Sequence, residues 1–379
     1  MYISQLRLLH FRIYQEAAVD LLPGVNLVLG ANGGGKTSLL EAIATVALTR
    51  SPRSGSIGEF ASWGERDMGV SATVVDLASK AAMEFRATRQ AGGERWSRTL
   101  RQDGQPVLPR QVLGKLGVVL FWPEDLLMVK GGPEPRRRML DVVLSQLDRE
   151  YAEQAVRYRR AVEHRNAVLR GVRDGLRLKD ELRPWTEAMV RHGAVLMRAR
   201  ARYLLEAEPI VAEAAVGIGE LGALQLSYRP GLGAVMSEGR GDYGQLLEEA
   251  IQRSSAEELA RAQSVVGPHR DDFEVTLGGQ PARQFASQGQ QRSLVLAMKV
   301  AEVKRHLDAS GRAPILLLDD VLSELDQAHR HGLISLLSRG LEVEQTLITA
   351  TEEQGITASV PVAQVLEVVR GEIRMAAGP

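Results

Sequence analysis

The stretch Leu27-Val28-Leu29-Gly30-Ala31-Asn32-Gly33-Gly34-Gly35-Lys36-Thr37-Ser38 decides how this chain is read. Glycine, four residues, glycine, lysine and threonine stand at the spacing of a phosphate-binding loop, with Gly30, Gly35, Lys36 and Thr37 in the required places. An apolar run, Val25 to Leu29, leads in as a strand. Thr37 to Leu48 leads out as an amphipathic helix, with Leu40, Ile43, Ala47 and Leu48 on one side. Glycines let the backbone curl tightly and aim successive N–H groups at anionic oxygens, beneath the positive end of the helix. Lys36 is then placed to reach the β- and γ-phosphates, and the Thr37 hydroxyl to hold Mg²⁺. Residues Gly30 to Ser38 therefore read as a binding loop for ATP or GTP. The spacing does not fit Gly-x-Gly-x-x-Gly, which excludes a dinucleotide-binding dehydrogenase.

Such a loop needs a second carboxylate to hold the metal, usually at the end of a buried strand. Pro314 opens Ile315-Leu316-Leu317-Leu318-Asp319, a continuous apolar run of central parallel-strand type. Asp319 is the expected metal ligand beside Thr37. Asp320 stands where a general base could orient the attacking water, so Lys36, Asp319 and Asp320 form the expected catalytic set.

Around these two motifs the chain changes grammar twice. Residues up to about 120 read as strands with one helix, the segment Ala82 to Thr88 alternating Met83, Phe85 and Ala87 against Glu84, Arg86 and Thr88. From Pro135 to about Val216 the period is helical, with Leu140, Val143, Leu144, Leu147 and Tyr151 on one stripe and Trp185, Met189, Leu196 and Tyr203 on another. Strands and turns return at Val265. The expectation is an α/β nucleotide-binding head built from residues 1–125 and 264–379, with a mainly helical domain, 126–263, inserted between.

With 379 residues, 44% hydrophobic and 25% charged, the chain has the makings of two or three globular domains. It has no cysteine, which excludes disulfides, thiolate metal sites and cysteine nucleophiles. It has no apolar run of membrane-spanning length, and its start lacks the layout of a signal peptide, so a cytoplasmic location is expected. Charge balances overall at 47 basic and 47 acidic residues. Between Arg149 and Ala201, however, thirteen basic residues face seven acidic ones, and Arg136-Arg137-Arg138 lies just before. That excess is either a phosphate-backbone footprint or a solvated helical face. On the first reading Arg136, Arg137, Arg138, Arg157, Arg159 and Arg160 are candidate DNA contacts, to the backbone rather than to stacked bases.

Three segments together carry a family resemblance. Gly30 to Thr37, then Ser287-Gln288-Gly289-Gln290-Gln291-Arg292, then Leu316 to Asp326 (with Ser323-Glu324-Leu325-Asp326 at its end) resemble the ABC-type ATPase heads of chromosome-maintenance and recombination proteins. Further segments resemble the bacterial RecF family in particular. These are Leu9 to Tyr14, Trp122 to Leu126, Lys130 to Arg137, and Gly267-Pro268-His269-Arg270-Asp271-Asp272. The resemblance implies that two copies sandwich two ATP molecules. Ser287, Gly289 and Gln290 of one copy would cap the γ-phosphate held by the other, Asp326 would lie at the contact, and Arg12 would lie near the phosphates. It also implies an ATP-dependent clamp on DNA at single-strand gaps, working with RecR and RecO to load RecA, in replication restart and SOS induction. The alternatives are a chromosome-organising ATPase, which needs long coiled-coil arms, and a transporter's nucleotide-binding subunit, which needs a much smaller insert.

The chain also departs from common head patterns. The signature reads Ser-Gln-Gly-Gln, the base position holds Asp320 rather than glutamate, and Thr349-Ala350-Thr351 stands where a switch histidine is usual. Pro123-Glu124 occupies the place of a metal-contacting glutamine. Each departure weakens water activation or metal coordination, so slow hydrolysis is expected, and the resemblance implies that it depends on DNA. His269 is not assigned a catalytic part.

Overall fold

The computed structural model describes residues 1–76, 79–90, 93, 95–218, 223–233, 242–321, 343–353 and 356–376. The chain divides into two compact units. The first holds Met1–Asp125, Glu213–Glu220 and Arg292–Pro379, and the second holds Leu126–Ala212 and Leu221–Gln291.

Among the described residues, the first unit contains two six-stranded sheets. One is antiparallel, in the order β2-β1-β4-β5-β6-β7, from β1 (Tyr2–Phe11), β2 (Tyr14–Asp20), β4 (Asp67–Asp76), β5 (Ser79–Arg89), β6 (Trp96–Gln102) and β7 (Gln105–Val107). Met83, Phe85 and Ala87 of β5 are buried, so one face of this sheet turns inward, as period-two alternation requires. The other has the order β15-β14-β3-β13-β12-β8, from β3 (Gly24–Leu29), β8 (Val118–Phe121), β12 (Ile315–Asp319), β13 (Gln345–Ala350), β14 (Val362–Val369) and β15 (Glu372–Met375). Its strands run parallel except for the β15 edge. Every residue of β8, β12 and β13 is buried, the pattern of a sheet covered on both faces.

Helix α1 (Lys36–Leu48) packs against β1, β4 and β5 of the antiparallel sheet and against β8, β12 and β13 of the parallel one. Lys36 and every residue from Leu39 to Leu48 are consequently buried. This corrects the one-sided helix expected from the sequence. A helix enclosed between two sheets is buried all round.

The second unit contains α2 (Pro133–Leu147), α3 (Arg149–Arg173), most of α4 (Arg183–Ile218), and α5 (Tyr243–Arg261). A three-stranded antiparallel sheet accompanies them, in the order β11-β10-β9, from β9 (Leu224–Arg229), β10 (Asp272–Leu277) and β11 (Gln280–Pro281). Asp148 caps α3 by accepting from the N–H groups of Glu150 and Tyr151. Met189, Leu196 and Tyr203 are buried as expected, whereas Trp185 is half-buried and stacks on His164 at 4.3 Å. The expected boundary at 263/264 is not where the units part. Residues 264–291 belong to the second unit, because β10 pairs with β9 and because Asp271 and Asp272 hold buried arginines of α4 and α2.

Helix α6 (Gln288–Ser310) begins at the second unit's end and continues into the first. No helix among the described residues is long and apolar enough to cross a membrane.

Candidate nucleotide site and basic surface

Strand β3 lies between β14 and β13 and delivers the loop Gly30 to Gly35 at its C-terminal end. The glycines are demanded by close approach. A Cβ added at Gly30 would lie 2.3 Å from the Val368 carbonyl oxygen. Gly35 caps α1 with φ 119°, and a Cβ there would lie 2.8 Å from the Tyr14 hydroxyl oxygen and 2.9 Å from Ile13 Cδ1. The Tyr14 hydroxyl donates to the Gly35 carbonyl at 2.9 Å, so the turn between β1 and β2 braces the loop.

Lys36 is 5% exposed and curls back over the loop, its Nζ donating to the carbonyls of Gly30 (2.7 Å) and Ala31 (3.1 Å). Burial lowers its pKa, and the nearby Asp320 and Asp319 oppose that shift. An ammonium has three donors, so two carbonyl bonds leave one for a phosphate oxygen.

The Thr37 hydroxyl donates to the Asp319 carboxylate, with oxygen distances of 2.8 and 3.0 Å. Asp319 also accepts from the Thr349 hydroxyl at 2.8 Å. Burial raises the Asp319 pKa, while the two hydroxyl bonds and the Arg53 guanidinium work the other way. Asp320 has φ 51°, and its N–H donates to Thr349 Oγ1 at 2.9 Å. One threonine thus holds both acidic positions, accepting from one backbone and donating to the other's side chain. Asp319 and Thr349 are register partners on β12 and β13, which is why this residue, noted in the sequence only for not being histidine, reaches the site. Thr37 and Asp319 present hard oxygen donors side by side, a donor set that fits Mg²⁺.

Arg12 (φ 55°) forms a two-pronged bond to the fully buried Glu41 of α1, at 2.9 and 2.7 Å, and also donates to Ser54 Oγ at 2.7 Å. Glu41 in turn accepts from Ser51 Oγ at 2.5 Å. The network ties the 51–54 loop to α1, and that loop carries Arg53. Its guanidinium lies 5.8 Å from the Trp122 ring centre and 3.7 Å from Glu124. Arg53 is a site residue that the sequence concealed within a Ser/Gly/Pro/Arg-rich loop.

In the second unit, Ser287 starts α6 with a reciprocal cap. Its Oγ accepts from the Gln290 N–H at 3.2 Å, and Gln290 Oε1 accepts from the Ser287 N–H at 2.9 Å. Ser287 is exposed and Gly289 half-exposed. Asp326 lies outside the described residues.

The candidate DNA contacts separate into two groups. Arg136 is corrected, because it is 5% exposed and every nitrogen of its guanidinium is engaged. Nε and Nη2 bond Asp272 at 2.6 and 2.9 Å, and Nη1 bonds the Met128 carbonyl at 2.9 Å. Arg137 is half-buried and donates to the Asp271 carbonyl at 2.8 Å. Arg138, Arg157, Arg159 and Arg160 are exposed. Two further members of the basic excess, Arg165 and Arg200, are buried in ion pairs with Glu258 (2.5 Å) and Asp271 (2.8 Å).

His269 has a structural part. Its Nε2 bonds the Ser264 carbonyl at 3.0 Å, which must accept, so Nε2 carries the proton and Nδ1 accepts from the Tyr158 hydroxyl at 2.7 Å. Burial lowers its pKa to about 4.

With this geometry in hand, the comparisons with known proteins are specific. The RecF/RecN/SMC N-terminal domain family matches residues 2–374. A DNA replication and repair protein RecF from Moorella thermoacetica is 35% identical over 379 residues, covering 100% of this chain and 98% of its own. A RecF from Roseiflexus castenholzii is 36% identical over 376 residues, covering 93% of each chain. The solved structure of the recombination mediator protein RecF-ATP in the RecFOR pathway superposes with a TM-score of 0.88 at 27% identity, over 99% of this chain and 98% of that one. An Smc head domain from Pyrococcus furiosus, 15% identical with a TM-score of 0.55, covering 99% of this chain and 96% of its own, shares the fold.

Proposed function

Because the chain belongs to the RecF/RecN/SMC family and matches RecF relatives along nearly its whole length, we propose that it is an ATP-operated DNA clamp of recombinational repair. It is a DNA replication and repair protein of the RecF kind, with an ABC-type ATPase head. The observation that carries the proposal is the meeting of Thr37 and Asp319 beside Lys36, a lysine, a hydroxyl and a carboxylate drawn together from both ends of the chain.

Lys36 bonds a phosphate oxygen with its remaining donor and can exchange a loop carbonyl for a second. The loop N–H groups and the α1 N-terminus hold the other phosphate oxygens. Thr37 and Asp319 would hold Mg²⁺, which when bound neutralises charge on the β- and γ-phosphates. Asp320, fixed through Thr349, orients the attacking water as general base. Its side chain is one methylene shorter than glutamate, and no histidine follows β13, so hydrolysis is slow and ATP acts chiefly as a clamp.

The clamp closes between two copies. Ser287 accepts from its own helix, which leaves its O–H to donate to the partner's γ-phosphate, while Gly289 and Gln290 approach the same oxygens. The closed pair grips DNA at single-strand gaps through backbone phosphates, and hydrolysis releases it. RecR and RecO are the expected partners, and RecA loading the result. Analytical ultracentrifugation with a gapped duplex tests this reading. ATP should produce a complex carrying two chains per duplex, and a DNA complex of the same mass with and without ATP would refute it.

A further inference from the structure

Within the second unit, α3 and α4 enclose a cleft of about 440 Å³ lined by Gln154, Arg157, Arg191, His192 and Val195. Among the described residues, that lining brings two guanidinium groups and an imidazole together with no carboxylate. Arg157 forms an ion pair with Glu153, one turn back on α3, at 3.7 Å, a surface pair that a phosphate can compete with. His192 is 8% exposed and hydrogen-bonded to Gln154 at 2.5 Å, so the floor of the cleft is built and polar. Burial and the two arginines disfavour the charged form of His192, so the positive charge at the cleft is that of Arg157 and Arg191, with no carboxylate in the lining itself.

We infer that this cleft is a phosphate-binding site, engaged by the backbone of nucleic acid. The planar forks of Arg157 and Arg191 each offer paired N–H donors, which match phosphate oxygens two at a time. A phosphate in the cleft would accept from both guanidinium groups. The volume exceeds what a lone phosphate ion needs, and exposed Arg159 and Arg160 continue the positive charge along α3. A polyanion therefore meets more of this surface than an isolated anion does. The choice of nucleic acid rests on the proposed clamp, whereas the phosphate chemistry stands on the cleft alone.

The test uses the full chain, with the double variant Arg157→Gln and Arg191→Gln. Both side chains are exposed, so folding is expected to survive, and an unchanged melting temperature checks this. Fluorescence anisotropy on a gapped duplex should give an affinity about tenfold weaker, with the slope of log affinity against log salt reduced by about one unit. ATP hydrolysis without DNA should be unchanged. A second arm titrates triphosphate into Lys36→Met, whose nucleotide loop is disabled, with and without the cleft substitutions. Residual binding abolished by those substitutions, with DNA affinity untouched, would make free phosphate compounds the ligand and overturn the nucleic-acid assignment. Unchanged DNA affinity together with no cleft-dependent triphosphate binding overturns the site altogether. If the native chain binds no DNA at any salt, the clamp reading fails, and the cleft is judged on the triphosphate arm.

Discussion

The Thr37 hydroxyl and the Asp319 carboxylate meet at 2.8 Å across 282 positions of sequence. Neither α1 nor β12 alone brings these two oxygen donors together. The parallel sheet does, by setting β12 one strand away from β13 and two from β3, so that an N-terminal loop and a C-terminal strand end share one edge.

Replacing Asp319 by Asn keeps a group that can still accept from Thr37 and Thr349 but removes the charge. Magnesium-dependent ATP hydrolysis is expected to fall on the order of 10²- to 10³-fold, with circular dichroism unchanged. A steady-state phosphate-release assay across a magnesium titration checks it.

Thr349 is a positioning residue, since it acts through Asp319 and Asp320. Thr349→Val should lower activity roughly 10- to 100-fold and raise the magnesium concentration needed for half-maximal rate, while Thr349→Ser should restore most of both. A purely steric role would make Val, which nearly matches threonine in shape, the better replacement.

How much of this was legible beforehand depends on distance along the chain. The phosphate loop and Asp319 declare themselves because their chemistry needs fixed local spacing and an apolar strand. Thr349 does not, because only the β12–β13 register brings it to Asp319. Charge counting failed for a related reason. Arg136, Arg165 and Arg200 read as surface charge, yet their partners Asp272, Glu258 and Asp271 lie 136, 93 and 71 positions away. The Gly267 to Asp272 segment, recognisable as a family feature, has a packing reason. Pro268 and Asp271 hold Arg200, Asp272 holds Arg136, and His269 holds Tyr158.

Arg12→Ala should act on stability first. It leaves Glu41, which is fully buried, without its cation, and breaking a buried pair costs about 3 kcal/mol. Urea unfolding reads the loss. A weaker ATP affinity should accompany it, because the 51–54 loop carrying Arg53 loses its anchor.

Arg136→Met separates structure from DNA contact. It leaves Asp272 unpaired, so the melting temperature should drop by several degrees, while DNA affinity per folded molecule stays unchanged. A lost DNA affinity at full stability would return Arg136 to the binding surface.

His269 sets a pH dependence. Its folded pKa, about 4, lies below the ordinary 6.5, so the unfolded chain takes up the proton first as pH falls. The stability held at neutral pH is therefore lost between about 6.5 and 4, by on the order of 3 kcal/mol for this residue. Urea midpoints measured across that window should fall less steeply in His269→Gln than in the native chain.

The central claim is that a triphosphate joins two copies, each completing the other's pocket. Multi-angle light scattering measures it without any assumption about DNA. With saturating ATP and magnesium, the native chain should shift from the mass of one copy, 41.4 kDa, to that of two, while Lys36→Met stays at one. A native chain that binds ATP yet keeps the mass of a single copy, or a Lys36→Met chain that pairs only when ATP is added, would contradict the account.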